Sequence, residues 1–160
     1  MDSGPGEWVL LSYRIPREPS TPRIAVWRKL KKLGVAQVGD GLVALPADAR
    51  TREHLDWIAE EVIEAAGSAT VWMARPASLV QERQLVEAMV QDRSAEYLAV
   101  RSEAVAAIGA AEPERLRAIT RLRAHLRRIT RRDYFPPPER QMARDAVEAL
   151  HPNRIDQERT

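Results

Sequence analysis

WVLLSYRIPREPSTPRIAVWRKLKKLG, Trp8 to Gly34, is the stretch whose reading decides the fold. Trp8–Tyr13 is a short apolar run, too short for a helix and suited to a central strand. Arg14 ends it, and Pro16 and Pro19 delay any helix until Ser20 or Thr21 can cap one, with Pro22 at the first helical position. Ile24, Trp27, Leu30 and Leu33 recur at helical spacing, so they are the predicted buried stripe. Arg28, Lys29, Lys31 and Lys32 fall mostly off that stripe, and Gly34 is the natural C-cap. A polar, arginine-rich turn thus follows an apolar strand.

Outward from this stretch, Val35–Leu45 reads as a hairpin about Gly39-Asp40-Gly41, closed by Pro46. Asp48 or Thr51 starts a second helix, with Leu55, Ile58, Val62 and Ala65/Ala66 inward, Trp57 at the border and Gly67 as the stop. Its outer face is acidic, carrying Glu53, Asp56, Glu60, Glu61 and Glu64. Ala69–Arg75 is a fourth strand ended by Pro76. The order β-α-β-β-α-β predicts an α+β protein whose residues 8–76 form a ferredoxin-like antiparallel sheet with both helices on one face.

Residues 77–150 read as a helical extension, packed with the sheet into one structural domain. A long helix from Ser78 to about Ile108 is expected to bury Leu79, Val86, Met89/Val90, Tyr97, Val105 and Ile108. Gly109 and Pro113 break it. Leu116, Ile119, Leu122, Leu126 and Ile129 then form a heptad-like seam, so the two helices should pair as an antiparallel hairpin. Arg131–Arg140 is an elbow stiffened by three prolines and plugged by Tyr134-Phe135, and a short helix from Glu139 to Leu150 closes the chain. Residues 1–7 and 152–160 read as disordered tails.

A chain of 160 residues can bury about two thirds of its unfolded surface. Without cysteine, thiol catalysis and Cys-ligated metals are excluded, and a reducing, cytoplasmic setting fits. No apolar run spans a bilayer, and no signal-peptide core follows the N-terminus. His54, His125 and His151 have no partner spaced to make a metal pair; no P-loop, GxGxxG or GxSxG is present. The expectation is a non-enzymatic protein with no metal and no cofactor.

Charge is the one positive signal. Residues 1–110 hold 13 Lys/Arg against 15 Asp/Glu, a net of −2; residues 111–160 hold 12 Arg against 8 acids, a net of +4. Eight arginines and no acid lie between Arg115 and Arg132. On a helix, Arg117, Arg121, Arg128 and Arg132 share one side, a candidate phosphate-contacting stripe for DNA. The competing account pairs them with Glu82, Glu87, Glu96 and Glu103 of the long helix or with the acidic helix. Arg14, Arg23 and Arg28, with Arg17 nearby, surround the first turn and suit a small oxyanion; pairing with Glu18 or simple solvation is the alternative. The four tryptophans fall mostly in strand or helix stripes and read as core.

At WVLLSYRIPREPSTPRIAVWRKLKKLGVAQVGDGLVALP and at RRDYFPPPER, the sequence resembles the N-terminal domain family of the chromate-resistance protein ChrB. The resemblance runs from about Trp8 to Leu150, and implies a regulator that responds to chromate and acts on the promoter of the resistance genes. The β-α-β-β-α-β unit is also similar to the middle domain of PaaX-type repressors and to the Cas2 nuclease fold. Cas2 needs an Asp at the end of strand 1, where this chain has Tyr13-Arg14, which counts against a metal-dependent nuclease. A homodimer, through sheet edges or helix packing, and a non-catalytic interaction module are the further expectations.

Overall fold

The computed structural model describes residues 4–152. In chain order the elements are β1 (Trp8–Arg14), α1 (Ser20–Leu33), β2 (Ala36–Gly39), β3 (Leu42–Pro46), α2 (Ala49–Glu64), β4 (Ser68–Ala74), α3 (Leu79–Ala107), α4 (Glu112–Arg131) and α5 (Glu139–Glu148). The result is a mixed α/β protein with one four-stranded sheet, in the order β2-β3-β1-β4, every neighbouring pair antiparallel. The chain divides into two compact units, one up to Met89 and one from Val90, so the boundary falls inside α3.

In the first unit, alternation along β1 sends Val9 and Leu11 to one face and Trp8 and Leu10 to the other. Val9 and Leu11 lie opposite Leu45 and Val43 of β3, and all four are buried. On this side α2 packs against β1 and β4, and α1 packs against α2. Leu55, Ile58 and Val62 of α2 are buried as predicted. For α1 the buried pair is Val26 and Leu30, while Ile24 and Trp27 are 43% and 42% exposed. The helix is therefore rotated from the predicted stripe, with the larger side chains toward solvent and Lys31 Nζ placed 4.9 Å from the Trp27 ring. Contrary to the core reading, Trp57 and Trp72 are exposed as well, and of the four tryptophans only Trp8 is buried.

Local chemistry explains the boundaries. Pro19, not Ser20 or Thr21, occupies the N-cap of α1 and no side chain caps it; Gly34 closes it in the left-handed conformation, φ 75°. Asp48 and Thr51 form a reciprocal capping box on α2, the Thr51 amide donating to Asp48 Oδ1 at 2.8 Å and the Asp48 amide to Thr51 Oγ1 at 2.9 Å. At the far end Ala66, φ 65°, takes the left-handed position expected of Gly67.

On the opposite sheet face, the Trp8 indole N–H and the Gly6 amide both donate to Glu82 Oε2, at 3.0 and 2.7 Å. A cleft of about 450 Å³ lies there, lined by Trp8, Leu10 and Ala44 of the sheet and by Leu85 and Ala88 of α3. Of the expected tails, residues 1–3 and 153–160 lie outside the described residues; the segment before β1 is tied by Arg75 donating to the Pro5 carbonyl and the Ala47 amide donating to that of Glu7.

The second unit has its own core: Tyr97, Val100 and Ala104 of α3, Ile119, Leu122, Leu126 and Ile129 of α4, and Ala143, Val147 and Leu150 around α5. Glu96 meets Arg132 and Glu103 meets Arg121, so α3 and α4 run antiparallel as expected. The seam on α4 is the predicted one except Leu116, which is 44% exposed. On α3 the predicted Leu79, Val105 and Ile108 are exposed; the buried face follows Tyr97, Val100 and Ala104, a 3-4 step chosen by α4 and α5.

Candidate anion-binding site

Two groups of arginines compete for the role. Arg14, Arg23 and Arg28 are all exposed, and among the described residues none makes an ion pair. Arg14 ends β1 opposite Ser68, while Arg23 lies in the first turn of α1 and Arg28 five residues on. Five residues turn a helix by about 140°, so Arg23 and Arg28 do not share a face. Arg14 and Arg23 leave uncommitted charge around the turn between β1 and α1.

On α4 the predicted stripe is divided by its own neighbours. Arg121 Nη1 sits 2.9 Å from Glu103 Oε2, and Arg132 pairs with Glu96 while donating to the Arg128 carbonyl at 3.0 Å. Arg117 and Arg128 remain exposed without an ion pair among the described residues. The Arg132 pair belongs to a network: Arg93 Nε lies 2.8 Å from Glu96 Oε2, and Arg93 Nη1 donates to the Arg132 carbonyl at 3.3 Å. Beside it the Tyr97 hydroxyl donates to Asp133 Oδ2 at 2.7 Å.

Burial, then the hydrogen bond to Asp133, pushes the Tyr97 phenol up to about 12 from an ordinary 10.0. A raised phenol pKa means that the neutral form is favoured by folding. Its contribution is therefore complete below pH 10.0 and lost as pH climbs toward about 12. The expected outcome is an alkaline fall in melting temperature across that window, smaller in Tyr97→Phe; equal curves for both proteins would contradict it.

The other face of α4 carries a feature that charge counting did not isolate. Arg123, Arg127 and Arg131 recur every four residues and so line one side of the helix. Against them α5 places Gln141, Arg144, Asp145 and Glu148, enclosing a cleft of about 690 Å³. Arg123 forks onto Glu148, its Nε and Nη2 donating at 2.9 and 2.8 Å. Gln141 Nε2 donates to Asp145 Oδ1 at 2.8 Å. Arg127, Arg131 and Arg144 have no ion pair among the described residues. The four-residue spacing on α4 was a legible signal; the arrival of Arg144 on another helix was not.

For other chemistry the described residues offer little. No group of three His, Asp or Glu is placed to hold a metal ion, and His54 stacks on Trp57 with ring centroids 5.9 Å apart. No helix among them is long and apolar enough to cross a membrane.

Residues 23–157 match the family described as Protein ChrB, N-terminal. The chain belongs to that family. A relative, Protein ChrB of Cupriavidus metallidurans (strain ATCC 43123 / DSM 2839 / NBRC 102507 / CH34), is 29% identical over 133 residues, covering 81% of this chain. The aligned part is 40% of that relative's length. No solved structure matches the chain. Within the ChrB N-terminal family match lie Arg23, Arg28 and all of α4 and α5, while β1 and Arg14 precede it.

Proposed function

We propose that this ChrB-family chain is a non-enzymatic, cytoplasmic regulatory protein of chromate resistance, responding to an oxyanion and contacting promoter DNA. The observation that carries the reading is the family match over residues 23–157. Surface guanidinium groups without carboxylate partners support it, because they suit tetrahedral oxyanions and backbone phosphates alike. Arg14 and Arg23 are the proposed chromate contacts, with Arg28 secondary because it lies about 140° round α1 from Arg23. Arg117 and Arg128 are the proposed phosphate contacts on α4, with Arg121 and Arg132 secondary since Glu103 and Glu96 already hold them. The crossovers β1-α1-β2 and β3-α2-β4 each pass one intervening strand, which supports reading the sheet as ferredoxin-like.

The test is fluorescence polarisation of the full chain with labelled promoter DNA, with and without chromate. Retention should weaken steeply with salt, and Arg117→Ala or Arg128→Ala should each lower the log–log salt slope by about 0.9. Calorimetric titration with chromate should lose the heat of one site in Arg14→Ala and Arg23→Ala. Salt-insensitive or absent DNA retention together with no chromate response would sink the reading. A homodimeric interaction module is the second reading, favoured by β4, an edge strand with exposed Trp72 and Met73. A concentration-independent dimer in light scattering, without DNA retention, would select it.

A further inference from the structure

Of the surfaces not used above, the α4–α5 cleft has the most uncompensated charge. Arg123, Arg127, Arg131 and Arg144 face it with only Asp145 and Glu148 as acids, a local excess of two positive charges. Arg123 and Glu148 cancel as a forked pair at one end. Arg127 and Arg131 on α4 then confront Arg144 on α5 across the space that remains. Guanidinium groups on two facing helices repel unless something negative lies between them. Water screens part of that repulsion at the exposed Arg127 and Arg131, and an anion held between the helices would remove the rest.

We infer that this cleft is a binding site for a tetrahedral dianion, gripped by Arg127 and Arg131 from α4 and Arg144 from α5. Planar guanidinium forks bind tetrahedral oxygens two at a time, and three forks from two helices can surround one group. The Gln141 amide lines the same space, and the N–H that it does not give to Asp145 can donate a further hydrogen bond. A volume of about 690 Å³ exceeds one bare oxyanion, and Leu126 supplies an apolar wall. The same group therefore fits either as a free oxyanion or as the phosphate of a small phosphomonoester. Asp145 lines the cleft and accepts from Gln141, so the net charge offered to an anion there is that of Arg127, Arg131 and Arg144 less one. Occupancy ties α4 to α5 and so stabilises the folded chain. The site is independent of the proposed chromate contacts at Arg14, Arg23 and Arg28 and does not require promoter binding.

The test is isothermal titration of the full chain with sodium sulfate, sodium chromate and phenyl phosphate, in buffers of equal ionic strength. One saturable cleft site per chain is expected, weakened about tenfold by Arg127→Gln and separately by Arg144→Gln, and unchanged by Arg117→Gln. Tighter binding of phenyl phosphate marks a phosphomonoester site, and equal or tighter sulfate or chromate binding marks a free-oxyanion site. Sulfate should also raise the melting temperature of the parent more than that of either variant. Should Arg144→Gln fail to fold by circular dichroism, Arg127→Gln and Arg131→Gln, both at exposed positions, carry the comparison. No saturable binding of any probe, affinity unchanged in these variants, or binding of duplex DNA alone overturns the inference. Heat lost in Arg14→Ala but kept in Arg127→Gln and Arg131→Gln overturns the cleft and leaves the regulatory reading standing. Absent promoter retention with intact sulfate binding does the reverse.

Discussion

Gly67→Ala is expected to lower the unfolding free energy by about 3 kcal/mol. The reason is space, not conformational freedom, since Gly67 is outside the left-handed region. A Cβ there would lie 2.4 Å from the Arg14 carbonyl oxygen and 2.7 Å from Val62 Cγ1. The first contact is backbone and cannot rotate away. Relief requires moving either the end of β1 or the α2–β4 turn, which disturbs the Arg14–Ser68 register and the Gly67 amide bond to the Val62 carbonyl at 2.9 Å. A urea melt should show a lowered midpoint. Ala66→Gly is the companion: at φ 65° glycine removes a steric cost, so a gain of about 1 kcal/mol is expected. Gly109, whose Cβ would meet nothing within 4 Å, is the control. A neutral Gly67→Ala would show that the chain relaxes at this junction more easily than the contacts allow.

Removing Glu96 should cost nearly as much. Its carboxylate lies between Arg93 and Arg132, whose side chains are only 13% and 16% exposed. Glu96→Ala leaves two half-enclosed guanidinium groups facing each other with little water to screen them. The expected loss is about 2–3 kcal/mol, or roughly 4–12 °C in melting temperature for a chain of this size. Replacing all three by apolar residues of similar volume should recover most of it, because the desolvation cost of the ions disappears along with their attraction. A Glu96→Ala protein melting with the parent would mean that the network is solvated and carries no stability. The contrast with Arg121–Glu103, 62% and 51% exposed, is deliberate: breaking that pair should change stability by less than about 1 kcal/mol.

The same two pairs explain how much of the candidate site could be read before folding. Pairing of Arg121 and Arg132 with Glu103 and Glu96 is one of the two accounts that the sequence allows, since an antiparallel helix hairpin brings those positions together. Which account held depended on register, and register depended on the packing of Tyr97, Val100 and Ala104 against Leu122, Leu126 and Ile129. The cleft needed more still. Arg127 and Arg131 gain meaning only when α5 turns back and presents Arg144, a return directed by the elbow at 132–138 and by Ala143, Val147 and Leu150 entering the core.

By itself the sequence determined the elements and most of their ends: the short apolar β1, the Gly34 cap, the Asp40-Gly41 turn, a start of α2 near Asp48, and the break at Gly109, while Pro113, read as part of that break, lies in the first turn of α4. These follow from interactions within a few residues, which any window of sequence contains. Tertiary structure alone decided which side of α1 faces inward, that three tryptophans stay outside, that Gly67 is needed for clearance, and which arginines keep an uncommitted charge. Each of these depends on what another element brings to the same place. Burial and ion pairing between elements are properties of the contact, and there the partners come from separate stretches of chain.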